Sequence, residues 1–593
     1  MTGSSVGSER RPVSRGLRRV RALLPVRADF VAMTRNPRRD LLAGLTVAIV
    51  ALPLALGFGV SSGLGAEAGL ATAVVAGALA AVFGGSNLQV SGPTGAMTVV
   101  LVPIVAEHGP GGVLTVGLMA GALLIGMALL RAGRSMRYVP APVVEGFTFG
   151  IAGVIALQQV PNALGVTAPE GDRVLVVAWR AVQEFAAHPD VTALSVSVGV
   201  AGLMLLGARR FPTVPFSVVA VALATVVVQV FDLGAEPIGA LPAGLPAPSL
   251  GFLDVSALGS LVAPAVAVAA LAALESLLSA TVADGMTVGQ KHDPDRELFG
   301  QGIANLAAPL FGGVPATAAA RTAVNVRTGA SSRLAALAHA AVLAVIVFAA
   351  APLVSRIPLA ALAGVLLATA VRMVEVGALR AMARATRSDA VVLVLTAAAT
   401  LVLDLVLAVV IGLVVAGALA LRAVAGEARM DRVDLREGTD AELPGAHSEE
   451  EHALLAEHIV AYRIEGPLFF AGAHRFLLTI SEVADVRVVI LRMSRVTTVD
   501  ASGALMLKDA VRQLNRRGIA VLESVGALEL LRREGREYAT TPEAIAGARD
   551  RLREAGVLVP GHGAAGAKTA VTASVAGTHA GAAAIAAAEE AAR

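Results

Sequence analysis

Two short breaks in long apolar runs decide how this sequence folds: SGPTGA at residues 91–96 and GGVPAT at residues 312–317. Each break combines glycine with proline, and the two lie at corresponding places in the halves of one hydrophobic block. Backbone that leaves the helical state at membrane depth must be buried in protein or line a water-filled cavity. A matched pair of breaks is therefore typical of a transporter with its binding site at an inverted-repeat interface. Two ordinary proline kinks are the alternative interpretation, but kinks have no reason to occur in matched positions.

Composition indicates a membrane protein. The chain has 593 residues, of which 56% are hydrophobic and 16% charged, and soluble domains carry about 25% charged residues. Its mean hydropathy is +0.73. The absence of cysteine excludes disulfides and thiolate metal sites. No nucleophile–base pair, metal cluster or cofactor loop is recognisable, so we expect neither an enzyme nor a cofactor, and we expect no nucleic-acid partner.

The apolar runs between residues 41 and 424 are each near the ~20 residues that a spanning helix needs. They predict a polytopic α-helical protein with fourteen transmembrane helices, of which the third and tenth are short. We place the helices at residues 41–61, 66–84, 93–107, 112–131, 141–163, 191–207, 213–231, 258–283, 296–311, 317–329, 334–354, 358–373, 388–405 and 407–424.

The distribution of arginine predicts the orientation of these helices. Arginines cluster in the loops that follow the even-numbered helices, at residues 131–137, 209–210, 327–333, 380–387 and 422–429. Because basic loops remain in the cytoplasm, both ends of the chain are expected there, in a multi-pass inner (cytoplasmic) membrane protein. Each repeat, at about 41–231 and 258–424, then has seven helices and the second is inverted. Residues 1–40 are Arg-rich and read as a basic cytoplasmic arm on anionic lipid.

The composition changes after the last apolar run. Residues 425–456 are charged and read as a linker, and residues 556–593 form an Ala/Gly-rich tail. Between them, residues 457–555 predict a small α/β domain with strands at 458–464, 488–491 and 519–522 and helices at 501–516 and 527–534.

Two ionisable residues lie at membrane depth, where each costs roughly 2.5–3.5 kcal/mol. They are Glu275 in the eighth predicted helix and Arg321 after the second break. Both short helices begin near the midplane, so their positive ends converge on an anion site. Glu275 could take up a proton as the anion binds, or could hold a cation together with Ser279 one turn away; a purely structural ion pair with Arg321 is the alternative. The proposed anion-binding residues are Phe58, Thr94, Gly95, Ala96, Ala318, Ala319, Ala320 and Arg321.

Several segments resemble the SulP family of sulfate permeases and anion exchangers, over residues 41–545. They are DLLAGLT at 40–46, ALPLA at 51–55, QVSGPT at 89–94, ESLLS at 275–279, GQGIAN at 300–305, FGGVPAT at 311–317 and ARTAVN at 320–325. The resemblance implies a seven-plus-seven inverted repeat with core and gate domains, elevator-like alternating access and a homodimer. The stretch 312–321 is one residue shorter than the usual family form, which leaves the register of Ala318 to Ala320 open.

The resemblance also implies that residues 457–545 form a STAS domain. Asp500 and Ser502 then lie where soluble relatives carry a phosphorylatable serine, although an N-capping or packing role is the plainer interpretation.

The resemblance implies transport of a small anion such as sulfate, bicarbonate or a dicarboxylate. Sodium-coupled bicarbonate members tend to have Asp at position 275 and to lack the arginine, so Glu275 with Arg321 favours proton coupling or exchange. A sodium–bicarbonate symporter with Na⁺ at Glu275 and Ser279 is one alternative, and an anion channel or sensor that signals through the STAS domain is another. Arg321 argues against a neutral nucleobase as substrate.

Overall fold

The computed structural model describes residues 19–169, 173–211, 214–241, 244–318, 321–403, 405–427, 429–433, 457–468, 486–524, 536–539 and 541–556. The chain divides into two compact units, Met1–Ala416 and Gly417–Arg593. The first is helical apart from one small strand pair, and the second contains an α/β domain.

The first half of the membrane region is a series of helices interrupted by one short strand. Their bounds are α1 Arg27–Met33, α2 Pro37–Ser61, α3 Ala66–Phe83, β1 Ser91–Gly92, α4 Gly95–Leu129, α5 Ala141–Gln158, α6 Val160–Leu164, α7 Val174–Ala187, α8 Val191–Arg210 and α9 Phe216–Val230. A 3₁₀ helix, Ala132–Tyr138, follows α4. Within α4, Gly109 is non-helical (φ 67°, ψ −176°), so the third and fourth predicted helices meet end to end at a kink.

The second half repeats the interruption. Its elements are α10 Leu258–Gly285, α11 Pro294–Ala307, β2 Thr317–Ala318, α12 Arg321–Arg327, α13 Leu334–Val354, α14 Leu359–Met373, α15 Val376–Ala385, α16 Arg387–Val402 and α17 Leu405–Glu427. A 3₁₀ helix, Ala308–Phe311, lies between α11 and β2.

Each of the fourteen predicted segments contains helix, with the third and fourth segments sharing α4. When α14 and α15 are counted as one helix, nine helices in the described residues are long and apolar enough to cross a membrane. The chain is therefore a multi-pass membrane protein. The tenth segment differs most from the prediction, because residues 317–318 form a strand and the helix begins at Arg321. The second break thus extends beyond Pro315 to residue 318, because residues 317–318 pair with residues 91–92 of the first break.

Two helices, α7 and α15, occur where the sequence analysis expected loops. Leu175, Val176 and Trp179 on α7 are exposed apolar side chains, and α15 has no buried residue. Both helices are short, with charges on one face, so a search for continuous apolar runs of spanning length passes over them.

Small residues set the packing between the membrane helices. A Cβ added to Gly69 of α3 would lie 3.0 Å from the Cα of Gly59 in α2, and one added to Gly121 of α4 would lie 2.8 Å from the carbonyl oxygen of Gly302 in α11. Close helix contact through glycine is a common solution in membranes, where helices associate by van der Waals packing.

The second unit contains a five-stranded sheet in the order β3-β4-β5-β6-β7. The strands are β3 Arg429–Val433, β4 Ile459–Leu468, β5 Val488–Val499, β6 Ala520–Ser524 and β7 Glu537–Tyr538, with helices α18 Ala501–Arg516 and α19 Thr541–Glu554. The first pair is antiparallel and the others are parallel.

The two helices belong to separate apolar clusters of this sheet. The α18 residues Leu507 and Leu514 belong to one apolar cluster with Val489 of β5. The α19 residues Ala548 and Leu552 belong to another, with the neighbouring β5 residues Val488 and Ile490. The three predicted strands are present and each extends further, and β3 lies inside the segment that we had expected to be a linker. The predicted helix at residues 527–534 lies outside the described residues.

Candidate functional site

The two breaks meet as a pair of antiparallel strands. Ser91 pairs with Ala318 and Gly92 pairs with Thr317. All four residues are buried. At this depth each non-helical N–H or C=O group needs a partner, and the strand pairing supplies it. The segments that begin α4 and α12 are therefore joined directly through their backbones.

Thr94 connects the first break to Glu275. It is the N-cap residue of α4, and its side-chain oxygen accepts a hydrogen bond from the Met97 N–H at 3.4 Å. Its hydroxyl also donates to Oε2 of Glu275 at 2.9 Å. A hydroxyl can do both, since it has one proton and two lone pairs. The carboxyl of α10 is thereby fixed at the N-terminus of α4.

Arg321 connects the second break to the first. Its side chain is 3% exposed, and its Nη2 donates to the carbonyl oxygen of Pro93 at 2.8 Å. Gly92 makes room for the guanidinium, because a Cβ at that position would lie 2.9 Å from Nη1. Among the hydrogen bonds of the described residues, none involves Nη1 of Arg321. A buried, charged donor is therefore available beside the paired breaks.

Glu275 and Arg321 both contact the first break. The ion pairs within 4.0 Å in the described part of the chain do not include a pair between these two residues. Glu275 bonds to Thr94 and Arg321 bonds to Pro93, which are adjacent residues of the first break. The two charges still interact electrostatically, so a purely structural ion pair stays an alternative interpretation.

Three polar residues that the sequence analysis had not placed in the site support its backbone. Oγ of Ser276 lies 2.8 Å from Oγ1 of Thr317, and Ser276 also accepts from the Ala318 N–H at 3.4 Å. Gln89 donates to the Ser276 carbonyl oxygen at 3.0 Å. The usable signal was that Ser276 and Thr317 are polar residues within apolar stretches. Ala318, which we had expected to bind the anion through its N–H, uses that N–H for Ser276.

Phe58 lies against the beginning of α4. It is 7% exposed, and a Cβ on Gly95 would lie 3.1 Å from its ring and 2.9 Å from Cγ1 of Ile155. Ala96, the next residue, is 1% exposed. The small residues of this turn therefore let an aromatic ring approach the helix terminus, where Phe58 had been predicted as a wall of the site.

The remaining candidate residues lie further along α10, in the second unit, or outside the described residues. Ala319 and Ala320 lie outside the described residues. Ser279 is partly buried on α10, one turn beyond Glu275. In the second unit, Asp500 is the N-cap residue of α18 and accepts from the Gly503 N–H at 2.6 Å, while Ser502 in the first turn is exposed. Within the described residues there is no cluster of three His, Asp or Glu side chains able to hold a metal ion.

Comparison with known proteins places this architecture. The model of the sulfate permease family matches residues 38–396, and that of the STAS domain matches residues 453–522. A putative sulfate transporter of Bacillus subtilis, YvdB, is 35% identical over 493 residues, which are 81% of this chain and 89% of that protein.

Two solved structures are similar as well. The transmembrane domain of the cyanobacterial bicarbonate transporter BicA is 32% identical, with a TM-score of 0.57, over 65% of this chain and 98% of that one. The murine anion transporter Slc26a9 in its inward-facing state has a TM-score of 0.75 over 92% of this chain and 96% of that one; at 15% identity it shows the fold alone. The chain therefore belongs to the sulfate permease family, a family of membrane anion transporters, and carries a STAS domain in its C-terminal part.

Proposed function

We propose that the protein is a secondary active transporter that carries a small anion (sulfate, bicarbonate or a dicarboxylate) across the cytoplasmic membrane in symport with protons. The observation that carries the proposal is the guanidinium of Arg321, buried between the two breaks with Nη1 unpartnered among the described hydrogen bonds. A buried cation is expensive inside a membrane, and the nearby Glu275 offsets the charge of Arg321 only while its carboxyl is ionised. It is best explained by a ligand of opposite charge.

The surroundings of Arg321 favour an oxyanion. The first-turn N–H groups of α4 have no acceptors within the helix, and they carry the positive end of the helix dipole. Hydrogen bonds that involve a charged group contribute about 1.5–3 kcal/mol each, roughly twice the neutral value. Residues Gly95 and Ala96 present backbone rather than side chains at this terminus. The proposed site thus recognises charge and oxygen geometry.

Glu275 is the proposed coupling group. When ionised, its carboxylate accepts from Thr94 and repels an incoming anion. When protonated, it no longer opposes the anion, and the Thr94 hydroxyl is free to reorient toward the ligand. Proton uptake at Glu275 and anion binding beside Arg321 would therefore favour each other. Such mutual stabilisation is the thermodynamic requirement for coupled transport.

The proposed movement is elevator-like alternating access by a homodimer. Fourteen spans in a seven-plus-seven inverted repeat, with both ends in the cytoplasm, would form the core and gate domains. Support comes from the paired breaks in corresponding positions of the two halves and from the likeness in fold to murine Slc26a9.

The names of the relatives support the range of substrates. YvdB is described as a putative sulfate transporter, and BicA as a bicarbonate transporter. The similarity to BicA favours one alternative, a Na⁺-dependent bicarbonate symporter in which Glu275 and Ser279 hold the cation. An anion channel or sensor that signals through the STAS domain is a further alternative, for which the matched STAS domain is the relevant observation.

One experiment separates these functions. The protein is reconstituted in liposomes, and uptake of labelled sulfate, bicarbonate and fumarate is measured with an inward proton gradient and then with an inward sodium gradient. Saturable proton-driven uptake of one anion is the expected result. Sodium-driven uptake would instead support the Na⁺-dependent symporter. Anion binding without saturable uptake would favour the channel or sensor.

A further inference from the structure

The segment from residue 19 to residue 40 is attached to the membrane unit at three points, of which Leu23 and Asp40 are buried and Asp29 is partly buried. Leu23 is 7% exposed and belongs to the same apolar cluster as Leu298 and Phe299 of α11. Asp29 and Asp40 provide the other two points through their carboxylates. The segment that looked like a basic arm in the sequence therefore has a defined position on the protein.

Asp29 is held by two arginines from different parts of the second half. Arg296, at the start of α11, donates to its Oδ2, and Arg333, just before α13, lies 3.7 Å from its Oδ1. Arg333 is itself fixed by the carbonyl oxygens of Ala81 and Val82 at the end of α3. One carboxylate on α1 thus reaches a junction of α3, α11 and α13.

The charge of Asp29 persists over the physiological pH range. Burial acts to raise the pKa of this carboxyl, but the hydrogen bonds from Arg296 and from the Val26 N–H, with the charge of Arg333, outweigh burial and lower the pKa below its ordinary value. An ionised carboxylate stabilises the folded state above its unfolded pKa, and that contribution disappears only as the pH falls through the lower, folded pKa. The unfolded value is about 4, so this attachment is independent of pH between 5 and 8.

Asp40 makes the third attachment. Its Oδ1 accepts from the Ser331 N–H at 2.6 Å and from the Ser332 N–H at 3.3 Å, and both serine hydroxyls also donate to the carboxylate. These serines lie in the turn between α12 and α13. The helix that carries Arg321 is therefore followed directly by a turn that the N-terminal segment holds.

The segment also has an exposed face that is apolar and basic. Val26, Phe30 and Val31 are 49%, 48% and 48% exposed. Six arginines of the same segment are exposed, and within the described residues none of the six forms an ion pair with a carboxylate. They are Arg19, Arg21, Arg27, Arg35, Arg38 and Arg39. Since three residues separate α1 from the spanning helix α2, we expect this face to lie at the membrane surface.

We propose that this face is a binding surface for anionic phospholipid and that lipid bound there acts on the transport unit through Asp29 and Asp40. A short helix with an apolar face and arginines on its flanks lies in the interface between headgroups and acyl chains. Each basic residue near the surface of an anionic leaflet raises the membrane partition coefficient of a juxtamembrane segment roughly five-fold. A segment held by lipid on one side and by the α12–α13 turn on the other resists displacement of that turn. Only this last step depends on the proposed transport function.

The first test measures lipid contact without measuring transport. Phe30→Trp is made in a Trp179→Phe background, where position 30 then holds the chain's single tryptophan. The protein is reconstituted in phosphatidylcholine vesicles with 30% phosphatidylglycerol, brominated near the headgroup in one lipid at a time. We expect at least two-fold stronger quenching per molecule of brominated phosphatidylglycerol than of brominated phosphatidylcholine. The matched control is Leu505→Trp in the STAS domain, since Leu505 is also 48% exposed. Equal quenching by the two lipids, or none at position 30, would overturn the proposal.

The second test addresses the action on transport. Uptake is compared in vesicles with and without 30% phosphatidylglycerol for the unaltered protein, for Asp29→Asn, and for Arg35→Gln with Arg38→Gln. We expect phosphatidylglycerol to change the uptake rate at least three-fold, and either variant to reduce that effect to less than half. Asp29→Asn should keep the quenching preference in the tryptophan background, whereas the double arginine variant should lose most of it. A lipid effect that persists in both variants would refute the attachment. Absence of uptake in every preparation would instead bear on the proposed transport function, because the quenching result stands without it.

Discussion

The two breaks occupy corresponding positions in the two halves of the membrane unit, but they contribute different chemistry. The first leads into the 35-residue α4 and offers an N-cap hydroxyl, small residues and a helix terminus. The second leads into the seven-residue α12 and offers a buried arginine that reaches back to Pro93 of the first. The comparison shows that two similar breaks can differ in chemistry. The first presents oriented backbone and the second presents a charged side chain.

The largest expected effect is that of removing the charge from the second break. Arg321→Ala should reduce anion uptake at least 100-fold, because the substrate loses a buried cation that makes charge-assisted hydrogen bonds of about 1.5–3 kcal/mol each. Arg321→Lys keeps the charge without the planar fork and should restore part of the activity. Anion affinity by calorimetry and uptake in liposomes check this, with size-exclusion profiles to verify folding. Uptake of Arg321→Ala within three-fold of the original protein would remove Arg321 from the site.

The next effect concerns the carboxyl that the first break holds. Glu275→Gln should reduce the stimulation of uptake by an inward proton gradient at least ten-fold while leaving anion affinity within about three-fold, since the neutral amide mimics the protonated acid. Stimulation is measured as the ratio of uptake with and without the gradient. Glu67→Gln is the matched control, because Glu67 is an exposed carboxyl in the first turn of α3. An intact gradient response in Glu275→Gln would assign the coupling to another group.

A smaller effect should follow from crowding the contact between the two breaks. Gly92→Ala places a Cβ 2.9 Å from Nη1 of Arg321, so the guanidinium must shift, and we expect about a ten-fold loss of uptake. Gly126→Ala on α4 is the control, since a Cβ there meets no atom within 4 Å. Equal activities of the two alanine variants would show that Arg321 does not need its present position.

The smallest effect should come from the hydroxyl of the first break. Thr94→Val removes the hydrogen bond to Glu275 and the cap on Met97, each worth about 1 kcal/mol. We expect roughly a five-fold loss of uptake and a lower thermal transition temperature in detergent. Thr94→Ser retains the hydroxyl and should stay within two-fold of the original protein. If valine and serine behave alike, the hydroxyl has no part in transport.

The positions of most helices and of both breaks could be predicted because they depend on the local amino-acid composition. Apolar run length marks the helices, and glycine with proline marks the breaks. The cost of a charge in lipid picks out Glu275 and Arg321. In the structure both residues bond to the first break, at Thr94 and Pro93, and the roles assigned to them stay predictions. The Asp500 cap of α18 is likewise a local signal, since its acceptor and donor are three residues apart.

What escaped prediction depends on contacts between distant segments. The pairing of Ser91 with Ala318 joins residues more than 200 positions apart, and two-residue strands have no periodicity to detect. Ser276 and Thr317 gain their roles only from that pairing. Asp29 reads in the sequence as a lone acid in a basic arm, and its two arginine partners lie 267 and 304 residues further along the chain (296 − 29 and 333 − 29).

The strand pair between the breaks has a consequence for how such a carrier can diversify. Main-chain pairing joins Ser91 to Ala318 and Gly92 to Thr317, and the side chain of Ser276 supports it from α10. Thr94 and Arg321 follow the two strands closely in sequence, and we expect the main-chain pairing to persist when their side chains are exchanged. If the proposed site is correct, anion selectivity can change at Thr94 and Arg321 while the strand pair is kept, and redesign toward another anion can begin at these two positions.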